Sequence, residues 1–129
     1  IFEQSDIITV HVALTEETRH MIGLEQLRKM KKTAVLINAS RGAVIDEKAL
    51  YIALKEKWIA GAALDVLEVE PPKKDNPLLE LENLIVTPHM AWYSTASLTE
   101  IQRKAAEEVA RVLSGKLPVS LVNKEVLKK

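Results

Sequence analysis

Four short apolar runs punctuate this chain, and three of them are followed by a chemically capable polar residue: Arg41, Glu70 or His89. The four runs are residues 7–12 (IITVHV), 34–38 (AVLIN), 62–66 (AALDV) and 84–87 (LIVT). Most are rich in β-branched residues and stretches with helical spacing separate them, so the pattern specifies an α/β fold with a parallel sheet of about four strands. AVLIN is close to uniformly apolar, as befits a strand covered on both faces. Residues 24–30 read as a short helix. A second helix follows Asp46, a residue type suited to an N-cap, because Ala49, Leu50, Ala53 and Leu54 recur at helical spacing behind it. The longest helix spans about residues 96–113, where Leu98, Ile101, Ala105, Val109 and Val112 form one stripe that the spacing predicts to be buried. Gly115 stands where a helix stop belongs.

In open parallel sheets, ligands bind in the crevice outside the carboxyl ends of the strands. Three of the four runs deliver a chemically capable side chain there. Arg41 follows AVLIN and offers a planar fork that holds a carboxylate through two hydrogen bonds. Beside it, Gly42 lets a ligand approach the backbone closely. A surface arginine in a turn fits this residue alone equally well, and Asn38 and Ser40 serve as turn formers on the same reading. Glu70 precedes Pro71 and Pro72, which stiffen its loop and hold it extended. Taken by itself it reads as one more solvated acid. His89 follows Pro88, and a carboxylate partner such as Glu70 would raise its pKa and keep it charged as a proton donor. Asp65, inside AALDV, either faces the crevice or caps nearby backbone N–H groups. Trp92 and Tyr93, two of the five aromatics, offer an apolar wall for a substrate side chain or pack the entrance of the long helix. His11 reads as a strand residue and His20 as a surface residue. No histidine and acid share metal-ligand spacing on one helix, so no metal site is expected.

The composition excludes several classes. At 129 residues the chain is one domain by size. Lys plus Arg equals Asp plus Glu, 18 against 18, which argues against a nucleic-acid or anionic-membrane partner. The absence of cysteine rules out disulfides and thiolate metal sites and fits a reducing compartment. No apolar run is long enough to span a bilayer, and the expected location is the cytoplasm. The opening IFEQSD resembles the tail of a preceding helix, so the N-terminal side reads as cut, whereas the long helix and the segment at Val122 and Asn123 read as a natural finish.

The stretches SDIITVHVALTEETRHMIG, LRKMKKTAVLINASRGAVIDEKAL, IAGAALDVLEVEPP and NPLLELENLIVTPHMAW run in order over nearly the whole chain. In them the chain strongly resembles the NAD-dependent D-2-hydroxyacid dehydrogenases. The resemblance implies a Rossmann-type coenzyme domain whose catalytic arginine, glutamate and histidine match Arg41, Glu70 and His89. In such enzymes the arginine orients a 2-keto acid, the histidine protonates its ketone oxygen and the glutamate supports the charged histidine. It further implies that Val12, Ala13 and Thr18 line the adenosine side of the coenzyme and that Ala39, Ser40 and Arg41 contact it through the second strand's end. Asp65 is placed near the nicotinamide, and His89 and Trp92 are implied as further coenzyme-binding residues. NAD is the implied coenzyme, with NADP open. A small 2-keto or 2-hydroxy acid is the implied substrate.

The chain departs from the family pattern in three places. Ala13 stands where proline is common. HMAWYS differs from the run in many phosphoglycerate dehydrogenases and lies closer to glycerate or hydroxypyruvate reductases and to the C-terminal-binding-protein corepressors. The glycines, Gly23, Gly42, Gly61 and Gly115, form no GxGxxG fingerprint. On this reading residues 1–129 are the C-terminal portion of a truncated coenzyme domain without its N-terminal half or a substrate domain. The isolated chain is then expected to be inactive and to bind NAD weakly. Its first strand becomes an open edge that favours a homo-oligomer. A non-enzymatic NAD-sensing or corepressor-like module, or a truncated remnant, is the alternative.

Overall fold

The computed structural model describes residues 1–127 and divides them into two compact units, the first running from Ile1 to Ala91 and the second beginning at Trp92. The first unit holds a four-stranded parallel sheet in the order β1 (Ile7–Val10), β2 (Val35–Asn38), β3 (Gly61–Leu64), β4 (Leu84–Val86). Each strand falls on its apolar run to within two residues: β1 and β4 stop short of the run's end, β2 keeps Asn38 in the ladder, and β3 begins one residue early at Gly61.

Register explains where the core sits. Ile8, Leu36, Ala62 and Leu84 form one cross-strand row, and Val10, Asn38, Leu64 and Val86 form another. Side chains alternate faces along a strand, so both rows share one face of the sheet. Helices α1 (Leu24–Arg28) and α2 (Glu47–Lys55) contribute Leu27, Ala49, Leu50, Ala53 and Leu54 to the same buried cluster. Asp46 caps α2 as its residue type predicts, accepting the N–H groups of Lys48 and Ala49. Gly23 heads α1, where Gln26 Oε1 accepts the Gly23 N–H at 3.1 Å.

The opposite face differs from the expectation for AVLIN. Val35 and Ile37 are only half-buried, while Ile7 and Ile85 are 65% and 67% exposed. The β2 sequence is apolar on both sides, but within the first unit only one side is covered. Residues 2–4 form a turn in which the Ser5 N–H donates to the Ile1 carbonyl at 3.1 Å, the spacing of a single helical turn.

In the second unit, α3 (Thr95–Leu113) is capped by Ser94, whose hydroxyl accepts the Ser97 N–H while Ser97 returns a bond to the Ser94 backbone. Arg103 bridges Glu100 and Glu107 along its polar face. The helix ends as expected at Gly115, which takes φ +76°. Its apolar stripe is not buried: Leu98 is half-buried, and Ile101, Ala105, Val109 and Val112 are exposed. Spacing reveals an apolar face but not what covers it. Among the described residues no helix is long and apolar enough to cross a membrane.

Candidate active site

Arg41 owes its place to Asn38, the last residue of β2. The Asn38 side chain is buried, donates from Nδ2 to the Arg41 carbonyl at 2.9 Å, and accepts the Ser40 N–H and hydroxyl at 3.0 and 2.8 Å. The chain thus turns sharply off the strand end, as short polar side chains make it do. Arg41 itself is exposed, with Nη1 donating to the Ser40 carbonyl at 2.7 Å.

Gly42 serves a different purpose from the one its type suggested. A Cβ there would lie 2.0 Å from the carbonyl carbon of Leu67. Protein backbone, not ligand, fills the glycine's open side, and the Arg41 loop thereby abuts the loop that follows β3.

That second loop carries Glu70. It bends through residues 68–71 rather than running extended, and the Glu70–Pro71 peptide is cis. Glu70 Oε1 accepts the Leu67 N–H at 2.8 Å, while Oε2 sits 2.7 Å from Nδ1 of His89. The bond to His89, reinforced by the Leu67 N–H, holds the Glu70 carboxyl below its ordinary value despite partial burial.

Asp65 resolves into the clamp of the histidine loop. Burial pushes its carboxyl up, but the Thr87 hydroxyl, the N–H groups of Ala91 and Met90, and the His89 charge together bring it below its ordinary value. The Asp65 carbonyl also accepts the His89 N–H at 2.9 Å. His89 adopts φ +52°, a region that side-chain-bearing residues occupy at a cost unless held there. Asp65 does the holding, and its carboxylate also lines a cavity with Glu70, Thr87 and His89.

The three strand-end residues do converge. Arg41, Glu70 and His89 line one open cavity of about 180 Å³, together with Leu14, Ala43 and Val66 among others. At the end of β1, the loop bearing Val12 and Ala13 is tied by Thr18, whose hydroxyl donates to the Ala13 carbonyl at 2.7 Å. Val12 and Ala13 are exposed there, Ala39 is exposed after β2, and Ser40 is half-buried. Trp92 falls in the second unit, where its ring packs edge-on against Tyr93 with centroids 5.5 Å apart. His11 lies just beyond β1, with Nε2 2.9 Å from the Thr9 hydroxyl. His20 is not a bare surface residue, because Nε2 lies 3.1 Å from Glu68 Oε2. Nothing in the sequence marked that pair. Among the described residues no group of His, Cys, Asp and Glu could hold a metal.

Two carboxylates set below their ordinary values give a pH signature. The lowering means that their contribution to stability is fully present above the ordinary values of 3.8 and 4.5 and is lost as pH falls through the lower folded-state values. Asp65→Asn leaves one of the Met90 and Ala91 N–H groups facing an amide NH2. It is expected to cost about 1–3 kcal/mol at neutral pH and to lose less stability than the parent on acidification. Denaturant melts at pH 7 and pH 3 check both effects, and equal acid sensitivity in the two proteins would contradict this account of Asp65.

Residues 1–91 match the family described as D-isomer specific 2-hydroxyacid dehydrogenase, NAD binding domain, and the match ends where the first compact unit ends. A glyoxylate reductase from Korarchaeum cryptofilum is 54% identical over 99% of this chain and 39% of its own length. Among solved structures, D-lactate dehydrogenase with NAD+ from Lactobacillus jensenii superposes with a TM-score of 0.82 at 32% identity, covering 94% of this chain and 40% of that one. An acyclic imino acid reductase in complex with NADPH and D-Arg gives 0.83 at 39% identity, covering 94% and 38%. The chain spans about two fifths of the length of the relative it matches over 99% of its residues.

Proposed function

The chain belongs to the D-isomer specific 2-hydroxyacid dehydrogenases, matching their NAD-binding domain, and on that premise we propose that it carries the reacting groups of an enzyme that reduces a small 2-keto acid to a D-2-hydroxy acid. The observation that carries this reading is the convergence of Arg41, Glu70 and His89 on one cavity, with Glu70 bonded to His89 Nδ1. Arg41 holds the substrate carboxylate, and its fork meets both oxygens. His89 gives the proton at Nε2 to the ketone oxygen as the alcohol forms. Glu70, ionised because its carboxyl lies low, fixes the ring through Nδ1.

The residues present fit the reactive end of a nicotinamide coenzyme. Val12, Ala13 and Thr18 after β1, and Ala39 and Ser40 after β2, stand at the carboxyl edge of the sheet that also bears Arg41 and His89, where such folds bind dinucleotides. Asp65 is assigned to the nicotinamide side. Bound NADH supplies the hydride. Among the described residues no glycine-rich stretch cradles a pyrophosphate, so in this reading that grip, and a domain closing over the substrate, come from residues outside 1–129. The chain alone is then expected to bind NAD weakly and to turn over nothing. The open edge of β1 and the exposed Ile7 and Ile85 support assembly into a homo-oligomer, and the cysteine-free composition accords with the cytoplasm.

The test is a screen of the full-length gene product against glyoxylate, hydroxypyruvate, pyruvate and 3-phosphohydroxypyruvate, with NADH and NADPH in parallel. Oxidation of reduced coenzyme with at least one acid is expected. Its absence with all four would remove the enzymatic reading and leave the non-catalytic one.

A further inference from the structure

One carboxylate beside the site has no part in the roles above, yet it joins three separate segments around it. Glu68 Oε1 accepts the Glu47 N–H at 3.0 Å, and the Glu68 N–H donates in return to Glu47 Oε1. Glu68 Oε2 pairs with Nε2 of His20 at 3.1 Å. The His20 N–H in turn donates to the Ala43 carbonyl at 2.8 Å, and the Ile22 N–H to the Val44 carbonyl at 3.2 Å. His20 sits at φ +52°, a conformation that persists where surrounding contacts over-determine it.

The three joined segments include the ones that carry the site. Glu47 heads α2, directly after the turn that bears Arg41 and Gly42. Glu68 lies between Leu67, whose N–H is held by Glu70 and whose carbonyl abuts Gly42, and Glu70 itself. It forms part of the wall of the cavity shared by Arg41 and His89. Both Arg41 and Glu70 stand on loops, where sub-ångström shifts are permitted unless something ties the loops together.

We propose that Glu68, with His20 and Glu47, is a positioning residue that sets the separation between the carboxylate clamp at Arg41 and the Glu70–His89 acid. The proposal rests on the function proposed above. Both Glu68 oxygens are occupied by protein groups, so it acts through Arg41 and Glu70 rather than by touching substrate. Loosening the tie changes how well one small anion meets clamp and acid together, and leaves the coenzyme side of the crevice as it was.

The experiment compares the full-length gene product with Glu68→Ala, Glu68→Gln and His20→Asn, reading KM for the keto acid and for NADH separately. Glu68→Ala is expected to raise the keto-acid KM about tenfold and to leave the NADH KM within about twofold. Glu68→Gln should recover most of that loss, since its carbonyl oxygen still accepts the Glu47 N–H and its amide can donate to His20. His20→Asn tolerates the positive φ but falls short of Glu68, and a rise of roughly threefold is expected. It decides the matter should Glu68→Ala fail to fold. A readout that needs no turnover is amide exchange at Leu67, expected to quicken in Glu68→Ala and not in Glu68→Gln. Unchanged keto-acid KM in Glu68→Ala and His20→Asn, or equal rises for both substrates, overturns the brace. If Arg41→Ala and His89→Ala retain activity, it is the function itself that fails, and Leu67 exchange still judges the tie.

Discussion

His89→Ala in the full-length gene product is expected to lower kcat for keto-acid reduction by roughly a thousandfold, with KM for NADH little changed. The size follows from what the side chain does. A ketone oxygen gaining negative charge needs a proton as the C–H bond forms, and an imidazolium held at hydrogen-bond distance supplies it without solvent reorganisation. The structure gives His89 an anionic partner 2.7 Å from Nδ1 and a backbone conformation locked by Asp65. Water can reach a side chain that is 47% exposed and replace the acid in part, so a residual rate remains. Stopped-flow measurement of NADH oxidation reads the chemical step directly. A loss of less than about fivefold would remove His89 from that step.

Arg41→Ala should act on a different parameter. Removing the fork takes two charge-assisted hydrogen bonds from the substrate carboxylate, and KM for the keto acid is expected to rise roughly a hundredfold. Arg41→Lys restores charge without the planar fork and is expected to recover only part of it. In the present structure Nη1 donates to the Ser40 carbonyl, a bond that engages one of the guanidinium's five N–H groups. Steady-state kinetics with glyoxylate decide this, and an Arg41→Ala enzyme with parental KM would leave the carboxylate without its assigned clamp.

Much of this site was legible from residue types at strand ends. Short apolar runs located all four strands, β3 without any β-branched residue, and the polar residues after three of the runs then pointed at one edge of the sheet. Residue chemistry offered Glu70 as one carboxylate partner for His89, the resemblance singled it out, and the structure supplies the distance. Other features could not be read. Gly42 looked like a ligand contact because glycine records only that something comes close, and that something is Leu67. Asp65 left two options open, and its hydrogen bonds to the Thr87 hydroxyl and to the Met90 and Ala91 N–H groups decide for the capping role without removing it from the cavity wall. His20 and Glu68 are far apart in sequence, each unremarkable alone, and only the fold brings them together. The stripe on α3 and the apolar residues of β2 misled in the same way. Hydrophobic periodicity says which face seeks cover, whereas cover itself depends on what packs there.

The most direct test of the central claim follows the hydride from coenzyme to product. NADH carrying deuterium at both C4 positions is incubated with glyoxylate, or with whichever acid the screen selects, and the 2-hydroxy acid is analysed by mass spectrometry. The parent full-length protein is predicted to place one deuterium on C2, with Arg41→Ala and His89→Ala giving little product at the same substrate concentration. Coenzyme oxidation without deuterium at C2, or undiminished deuterated product from the His89→Ala protein, would contradict the account.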